Sequence, residues 1–248
     1  MAGVCLLYTV CDRTDLLRRS LERLEQLTPP DEVLVVDDGG TDPALLELCM
    51  EYDRRLLCPV RYLYTHNPGP SQCSHARNVG IKATDAEYVI TSEPEMIFQT
   101  DVVQQLLMDT YSHPVEFGSA GVILHGQYPG TTCPCCGEQY HVTRNWSATW
   151  IACYRREWLL AVGGWDESWP DPWGWEDVDL STRLRISGVG QFIDPDVVAI
   201  HQWHPTRQCD QSRNEAHFKS KGFNGDERPD HPALVANHGD WGVPRSRP

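Results

Sequence analysis

The sequence predicts an α/β domain built on a mostly parallel, Rossmann-like sheet flanked by helices. Three observations predict it. Short apolar runs recur at residues 4–10, 32–36, 60–64 and 88–91. The segments between them carry helical spacing instead. Acids then follow two of the runs, at Asp37-Asp38 and at Glu93-Pro94-Glu95. Alternating strands and helices pair as a parallel sheet through right-handed crossovers, and such sheets bind ligands beyond the carboxyl ends of their strands. Both acidic pairs are therefore expected to open onto one crevice.

The elements follow in order. Residues 4–10, Val-Cys-Leu-Leu-Tyr-Thr-Val, are apolar almost throughout, as in a strand covered on both faces. Residues 12–26 set Leu16, Leu17, Leu21 and Leu24 at helical spacing, and Pro29-Pro30 ends that helix. Residues 32–36 form a second buried strand, stopped by Asp37-Asp38-Gly39-Gly40. A helix from 43 to about 55, a strand at 60–64, a helix at 74–83 and a strand at 88–91 continue the alternation. Beyond Tyr111 the pattern loosens. Strands are expected within 115–124 and 148–154, a short helix over 157–162 stopped by Gly163-Gly164, and late strands at 191–193 and 197–200. From Pro205 the composition turns polar, which predicts an irregular tail, draped over the core or disordered. The expected organisation is one domain over 1–204, with halves 1–110 and 111–204 and an irregular region in the second, followed by the tail at 205–248.

Bulk composition narrows the function. The chain has 248 residues, 35 acidic against 21 basic, for a net charge of −14. A broad basic face for nucleic acid is not expected. Anionic ligands must be met locally, through a metal ion or a few placed arginines. The first apolar run is too short for a signal peptide and lacks a basic flank, and no stretch approaches bilayer length. The expectation is a soluble, cytoplasmic chain, with peripheral membrane attachment left open and the oligomeric state unspecified. Most of the ten cysteines are then expected as free thiols.

Trp173-Gly174-Trp175-Glu176-Asp177-Val178-Asp179-Leu180 places three carboxylates within four residues, beside two large aromatic rings. Carboxylates beside tryptophan are costly to desolvate unless they bind something or move protons. The bland alternative is a helix start, where acids favour the positive end of the macrodipole. Trp173 and Trp175 offer flat faces to a pyranose ring, or simply pack in the core. Asp37 and Asp38 serve a ligand, or only a turn. Cys133-Pro134-Cys135-Cys136-Gly137 contains a C-x-x-C followed by glycine, the shape of a zinc knuckle. A structural zinc there needs four ligands, from Cys133, Cys136 and two of Cys135, His141, Cys153 and His125, or from a second chain. Reduced thiols or a local disulfide are the alternatives.

Taken together, these residues resemble a glycosyltransferase of the GT-A fold, in the large inverting family numbered two. Leu7-Tyr8-Thr9-Val10 resembles its first strand, Val35-Val36-Asp37-Asp38-Gly39-Gly40-Thr41-Asp42 its V-V-D-D-G-S-x-D, and Ala76-Arg77-Asn78-Val79-Gly80 its A-R-N-x-G. Gly163-Gly164-Trp165-Asp166-Glu167 and the following Trp173–Leu180 segment are similar to the catalytic half of β-1,4-galactosyltransferases. The likeness runs from residue 4 to about 204. It implies that Thr9, Asp37, Asp38, Arg77 and Glu93 meet the donor nucleotide, with Trp173 and Trp175 at its sugar. Glu93 and Glu95 align with the two aspartates of the family's metal-binding D-x-D. Glu95 with His201 and His204 would then hold a divalent cation, Mn²⁺ or Mg²⁺, with the imidazoles favouring Mn²⁺; a surface pair at a strand end is the alternative for the histidines.

The implied reaction moves a sugar from a nucleoside-diphosphate donor, UDP-linked by resemblance, to the hydroxyl of an unnamed acceptor. Asp177 would be the general base and Glu176 would position the acceptor or help hold the loop, with inversion at the anomeric carbon. A nucleotidyltransferase would need a glycine-rich, basic loop after the first strand, where this chain has Cys11-Asp12-Arg13-Thr14-Asp15. A non-catalytic nucleotide-sugar-binding relative is kept alive by the altered Glu93-Pro94-Glu95 and opposed by the intact Glu176-Asp177.

Overall fold

The computed structural model describes residues 3–125, 131–132, 139–143, 150–205, 210–223 and 228–245, with side chains described outside 120–149. The first half alternates as its apolar runs require: β1 (Val4–Val10), α1 (Thr14–Leu24), β2 (Glu32–Asp37), α2 (Ala44–Arg55), β3 (Val60–Tyr64), α3 (Cys73–Ala83) and β4 (Tyr88–Ser92). β1 lies parallel between β2 and β4, and β3 is parallel to β2. Strand periodicity then divides the core into two layers. Leu6, Tyr8, Val33 and Val35 face Leu17 and Leu21 of α1 and Leu48 and Tyr52 of α2. Cys5, Leu7, Leu34 and Val36 face Ala76 and Val79 of α3.

The second half continues with β5 (Met96–Phe98), α4 (Val102–Ser112), β6 (Glu116–His125), β7 (Thr131–Thr132), β8 (Gln139–Thr143), β9 (Ile151–Arg155), α5 (Arg156–Ala161), α6 (Glu176–Ile186), β10 (Gly190–His201) and α7 (Ser212–Ser220). The main sheet order is β3-β2-β1-β4-β9-β6-β10-β5. β9 runs antiparallel between β4 and β6, β10 is parallel to β6, and β5 is antiparallel to β10. The sheet is thus mixed and mostly parallel, with helices on both faces. Leu159 of α5 and Leu180 and Leu184 of α6 join the α3 layer, beside the fully buried Trp165.

Several features differ from the sequence expectation, which held no strand where β5, β7 and β8 lie. The two late strand segments are one strand, β10, whose register shifts between Asp194 and Val198. α4 was not anticipated, although Val102, Val103, Leu106 and Thr110 form its buried face. The polar stretch from 205 contains α7, whose buried residue is the polar Asn214, so apolar periodicity had nothing to report. Further on, Asn237 donates to the carbonyls of Gly163 and Trp165 at 2.7 and 2.6 Å, tying that stretch onto the core. No helix among the described residues is long and apolar enough to cross a membrane.

Candidate active site

Two aspartates end β2. Asp38 is buried, and its carboxylate accepts hydrogen bonds from Thr65 Oγ1 (3.0 Å), Asn67 Nδ2 (3.3 Å), Ser71 Oγ (3.0 Å) and the Gln72 backbone N–H. Both of its oxygens are occupied by the loop between β3 and α3, so Asp38 holds that loop in place. Gly39, at φ +77°, makes this close approach feasible: a Cβ there would lie 2.1 Å from the Asn67 carbonyl oxygen. Asp37 accepts from the Gly40 N–H at 2.7 Å and the Tyr62 hydroxyl at 2.8 Å. Burial pushes its pKa up, against the lowering effect of those two bonds. Thr9 is buried near the end of β1, paired with Val36.

The turn from β4 to β5 presents Glu93 and Glu95. Glu95 Oε1 accepts from Arg13 Nη1 at 2.6 Å and lies 3.0 Å from His204 Nε2 and 3.4 Å from His201 Nε2. Burial works to raise the Glu95 pKa, but the two imidazoles and the Arg13 charge outweigh it and hold the carboxyl well below the usual range. The hydrogen bond to Glu95 in turn raises the pKa of His204.

Glu93 accepts from Arg77 Nη2. Arg77 Nη1 also reaches Asp177 Oδ1 at 3.3 Å and Glu176 Oε1 at 3.9 Å. Arg77 is 5% exposed, with its guanidinium carbon 5.4 Å from the Trp165 ring centroid. One buried cation thus joins Glu93 to the acids that open α6. Burial pushes Glu176 up to about 7, helped by the neighbouring Asp177 charge and opposed by Arg77. Cys73, at the start of α3, directs its thiol at Glu176 Oε1 (3.5 Å) and the Pro172 carbonyl (3.7 Å). Burial and the Glu176 charge hold that thiol well above its ordinary pKa, so it is a neutral donor rather than a nucleophile.

The loop before α6 is held by α7. The Asn214 amide donates to the carbonyls of Asp171 (3.3 Å), Trp173 (3.0 Å) and Gly174 (2.9 Å), and its oxygen accepts from the Asp171 N–H (3.0 Å). Trp175 has φ +72° and packs its ring 5.4 Å from Phe218 of α7, whereas Trp173 is 37% exposed. Lys221 Nζ bridges Asp166 and Asp179 at 2.5 Å each, and Arg183 Nε donates to Asp179 at 2.8 Å. Asp179 is therefore a buried ion-pair partner that anchors α6.

Residues 6–127 match the family model described as Glycosyl transferase family 2. The N-terminal half of the chain is thus similar to glycosyl transferase family 2. Among curated relatives it is 24% identical over 241 residues to chondroitin sulfate synthase 3 of Homo sapiens, covering 87% of this chain and 26% of that one. It is 22% identical over 253 residues to the chondroitin synthase of Pasteurella multocida (strain Pm70), covering 85% and 26% respectively. The chain thus spans about a quarter of the length of these relatives. The solved mannosyltransferase PcManGT from Pyrobaculum calidifontis, in complex with GDP-Man and Mn²⁺, superposes with a TM-score of 0.64 at 17% identity, over 95% of this chain and 68% of that one. S. aureus TarS 1–349 gives 0.62 at 14%, over 81% and 60%. These structural likenesses establish the GT-A-type fold.

Glu95, His201 and His204 offer ligand atoms that all lie within 4.8 Å of one another. Glu95 Oε2 is buried without a hydrogen-bond partner among the described residues. An orphaned carboxylate oxygen beside two imidazoles fits a divalent cation with mixed oxygen and nitrogen ligands. Arg77, which the family likeness assigns to the nucleotide, instead spends its guanidinium on Glu93, Asp177 and Glu176. Asp38 is likewise spent on its loop. Sequence reasoning gave no site role to Arg13, Cys73 or Asn214; the polar loop and tail around them offer no motif that marks them. Cys133, Cys135 and Cys136, and the side chains of His141 and His125, lie outside the described residues. Cys153 is buried in the core, which pushes its thiol up to about 12.

Proposed function

We propose that this domain transfers a sugar from a nucleoside-diphosphate donor to an acceptor hydroxyl, with inversion. One observation carries the proposal: a continuous polar chain runs from Asp177 and Glu176 through Arg77 to Glu93, two residues from the Glu95, His201 and His204 cluster. This supports reading the metal-ligand set and the candidate base as one centre. Glu95, His201 and His204 would hold the cation at the donor diphosphate. A divalent ion bound there supplies Lewis-acid stabilisation of charge on the departing phosphate.

The chain's own groups do the rest. Arg13, half-exposed and paired with Glu95, would supply a second positive charge to the diphosphate. Thr9 and the loop that Asp38 organises border the nucleotide at the ends of β1 and β2. Asp177 accepts the proton of the attacking hydroxyl. Arg77 keeps the Asp177 carboxylate oriented and lowers the repulsion among three neighbouring acids. Glu176, whose carboxyl burial pushes up to about 7, positions the acceptor. Attack opposite the leaving group gives the inverted anomer.

The sequence resemblance suggests a UDP-linked donor, whereas PcManGT is in complex with GDP-Man. Thermal melts with UDP, GDP, UDP-sugars and GDP-Man, each with and without Mn²⁺, distinguish these donors. One nucleotide family should raise the melting temperature in a Mn²⁺-dependent way, because a ligand of the native state stabilises by mass action. The matching sugar nucleotide should then be hydrolysed slowly in Mn²⁺. No Mn²⁺-dependent shift with any of them would overturn the proposal.

A further inference from the structure

The sides of α3 (Cys73–Ala83) do different things. Ala76 and Val79 face the core. Cys73 and Arg77, four residues apart, meet Glu176, Asp177 and Glu93. His75, Asn78 and Lys82, at spacings of three and four, share another side, and the stretch from Trp241 to Arg245 lies along it. Lys82 Nζ stands 4.5 Å from the centroid of the Trp241 ring. The Gly242 N–H donates to Glu167 Oε1 at 3.0 Å, and the same oxygen accepts from Asn78 Nδ2 at 2.8 Å. Gly242 has φ +62°, and a Cβ there would lie 2.6 Å from the Asn78 carbonyl oxygen, so glycine is what lets the two backbones pass so closely. His75 Nε2 donates to the Val243 carbonyl at 3.0 Å.

Arg245 then reaches the loop between β3 and α3. Its backbone N–H donates to the Thr65 carbonyl at 2.8 Å. Its guanidinium forks, with Nη1 donating to Asn67 Oδ1 at 3.0 Å and Nη2 to Gln72 Oε1 at 2.7 Å. The fork therefore ties the beginning of the loop to its end. The same three residues hold Asp38 with other groups: Thr65 through Oγ1, Asn67 through Nδ2 and Gln72 through its N–H. The loop is gripped twice, by Asp38 from within and by Arg245 from outside. The inner grip is buried, whereas Arg245 is exposed. A planar two-point donor fixes the spacing and orientation of its acceptors, which a single ammonium does not.

We infer that Arg245 is a positioning residue for donor binding, which acts through Asn67 and Gln72 to hold the 65–72 loop in the shape that receives the nucleotide. This rests on the transferase reading above, which sets that loop beside the nucleotide, and adds the residue that keeps it ready. The apparent affinity of a site scales with the fraction of molecules in the binding-competent shape. Releasing the outer grip lowers that fraction. Donor affinity then falls, while the acids met by Cys73 and Arg77 on another side of α3 keep their arrangement.

The test compares the full chain with Arg245→Met, which keeps most of the stem and removes the fork, with Arg245→Lys, with Gln72→Ala and with the Arg245→Met, Gln72→Ala double variant. The remote, exposed Leu57→Ala is the control. Without nucleotide, amide hydrogen exchange over 65–72 should be at least about threefold faster in Arg245→Met. UDP and GDP are then titrated in Mn²⁺. The nucleotide that binds the wild type should bind Arg245→Met about tenfold more weakly, and KM for slow hydrolysis of its sugar nucleotide should rise equally, with kcat within about twofold. Arg245→Lys should resemble Arg245→Met. With Gln72→Ala already present, the effect of Arg245→Met should shrink to about threefold, because the two residues share one contact. Leu57→Ala should change none of these. Unchanged exchange over 65–72 overturns the proposal, as does nucleotide affinity equal to that of the wild type, a loss confined to kcat, or full recovery in Arg245→Lys. Faster exchange in Arg245→Met, with a wild type that binds neither nucleotide, overturns the transferase reading and the donor role with it. Unchanged exchange with a wild type that binds its nucleotide overturns the role of Arg245 alone.

Discussion

Asn214→Ala probes the account away from the acids themselves. Asn214 is fully buried and satisfies three carbonyls and one N–H of the segment from Asp171 to Gly174. Truncation removes four hydrogen bonds, each worth about 1 kcal/mol net, and leaves buried carbonyls in need of water. Partial rehydration offsets some of this, so a loss of about 3 kcal/mol is expected. For a chain of this size that lowers the melting temperature by about 6–12 °C. The functional loss should be separable. The loop precedes Glu176 directly, and misplacing a catalytic group by about 1 Å costs about 100-fold in rate. On the proposed reading donor binding depends on Glu95, His201 and His204, and it should change less than about threefold. Calorimetry, a donor titration and turnover at a temperature where both proteins are folded provide the three readings. A variant that melts within 1 °C of the wild type (on the order of experimental scatter) and turns over normally would refute the claim that α7 sets the loop.

Two further outcomes follow from buried charge. The Glu176 pKa is raised from 4.5 to about 7. The native state therefore binds the extra proton, and wild-type stability falls as pH rises from about 4.5 through 7. Glu176→Gln should remove that dependence and be more stable than wild type at pH 8, by about 3 kcal/mol at most, in urea melts at pH 5 and pH 8; equal pH slopes would contradict it. Lys221→Met leaves Asp166 and Asp179 facing each other with one cation fewer, which should cost about 3–5 kcal/mol at pH 7. Burial favours a raised Asp166 pKa, but Lys221 helps hold it below its ordinary 3.8, so the deficit should close as acid denaturation proceeds below about pH 4. A pH-independent deficit would mean that lost packing, not charge, dominates.

The sheet was legible where burial on both faces wrote itself into composition. Val4–Val10 and Glu32–Asp37 are strands because their residues alternate between two apolar layers, and no other placement buries both sets. The acids at Asp37 and Glu93 were legible as strand-end residues for the same topological reason. What escaped were interactions that depend on partners distant in sequence. Arg77 meets Asp177 across 100 positions and Arg13 meets Glu95 across 82. Asn214 is a polar residue in a polar helix, and only the folded chain reveals that it is fully enclosed. The engagement of Asp38 by Thr65, Asn67, Ser71 and Gln72 is also non-local, so its motif identified the strand end without specifying which group the carboxylate holds.

The central claim is that the acids opening α6 perform the transfer chemistry while the cluster around Glu95 holds the donor. Asp177→Asn separates these roles, because it preserves shape and the Arg77 contact but removes the base. Product formation and donor affinity measured on the same sample test it most directly. The account predicts a rate loss of about 10²- to 10⁴-fold with donor affinity within about threefold of wild type. Transfer that persists at near wild-type rate, or donor affinity that collapses together with rate, would contradict it.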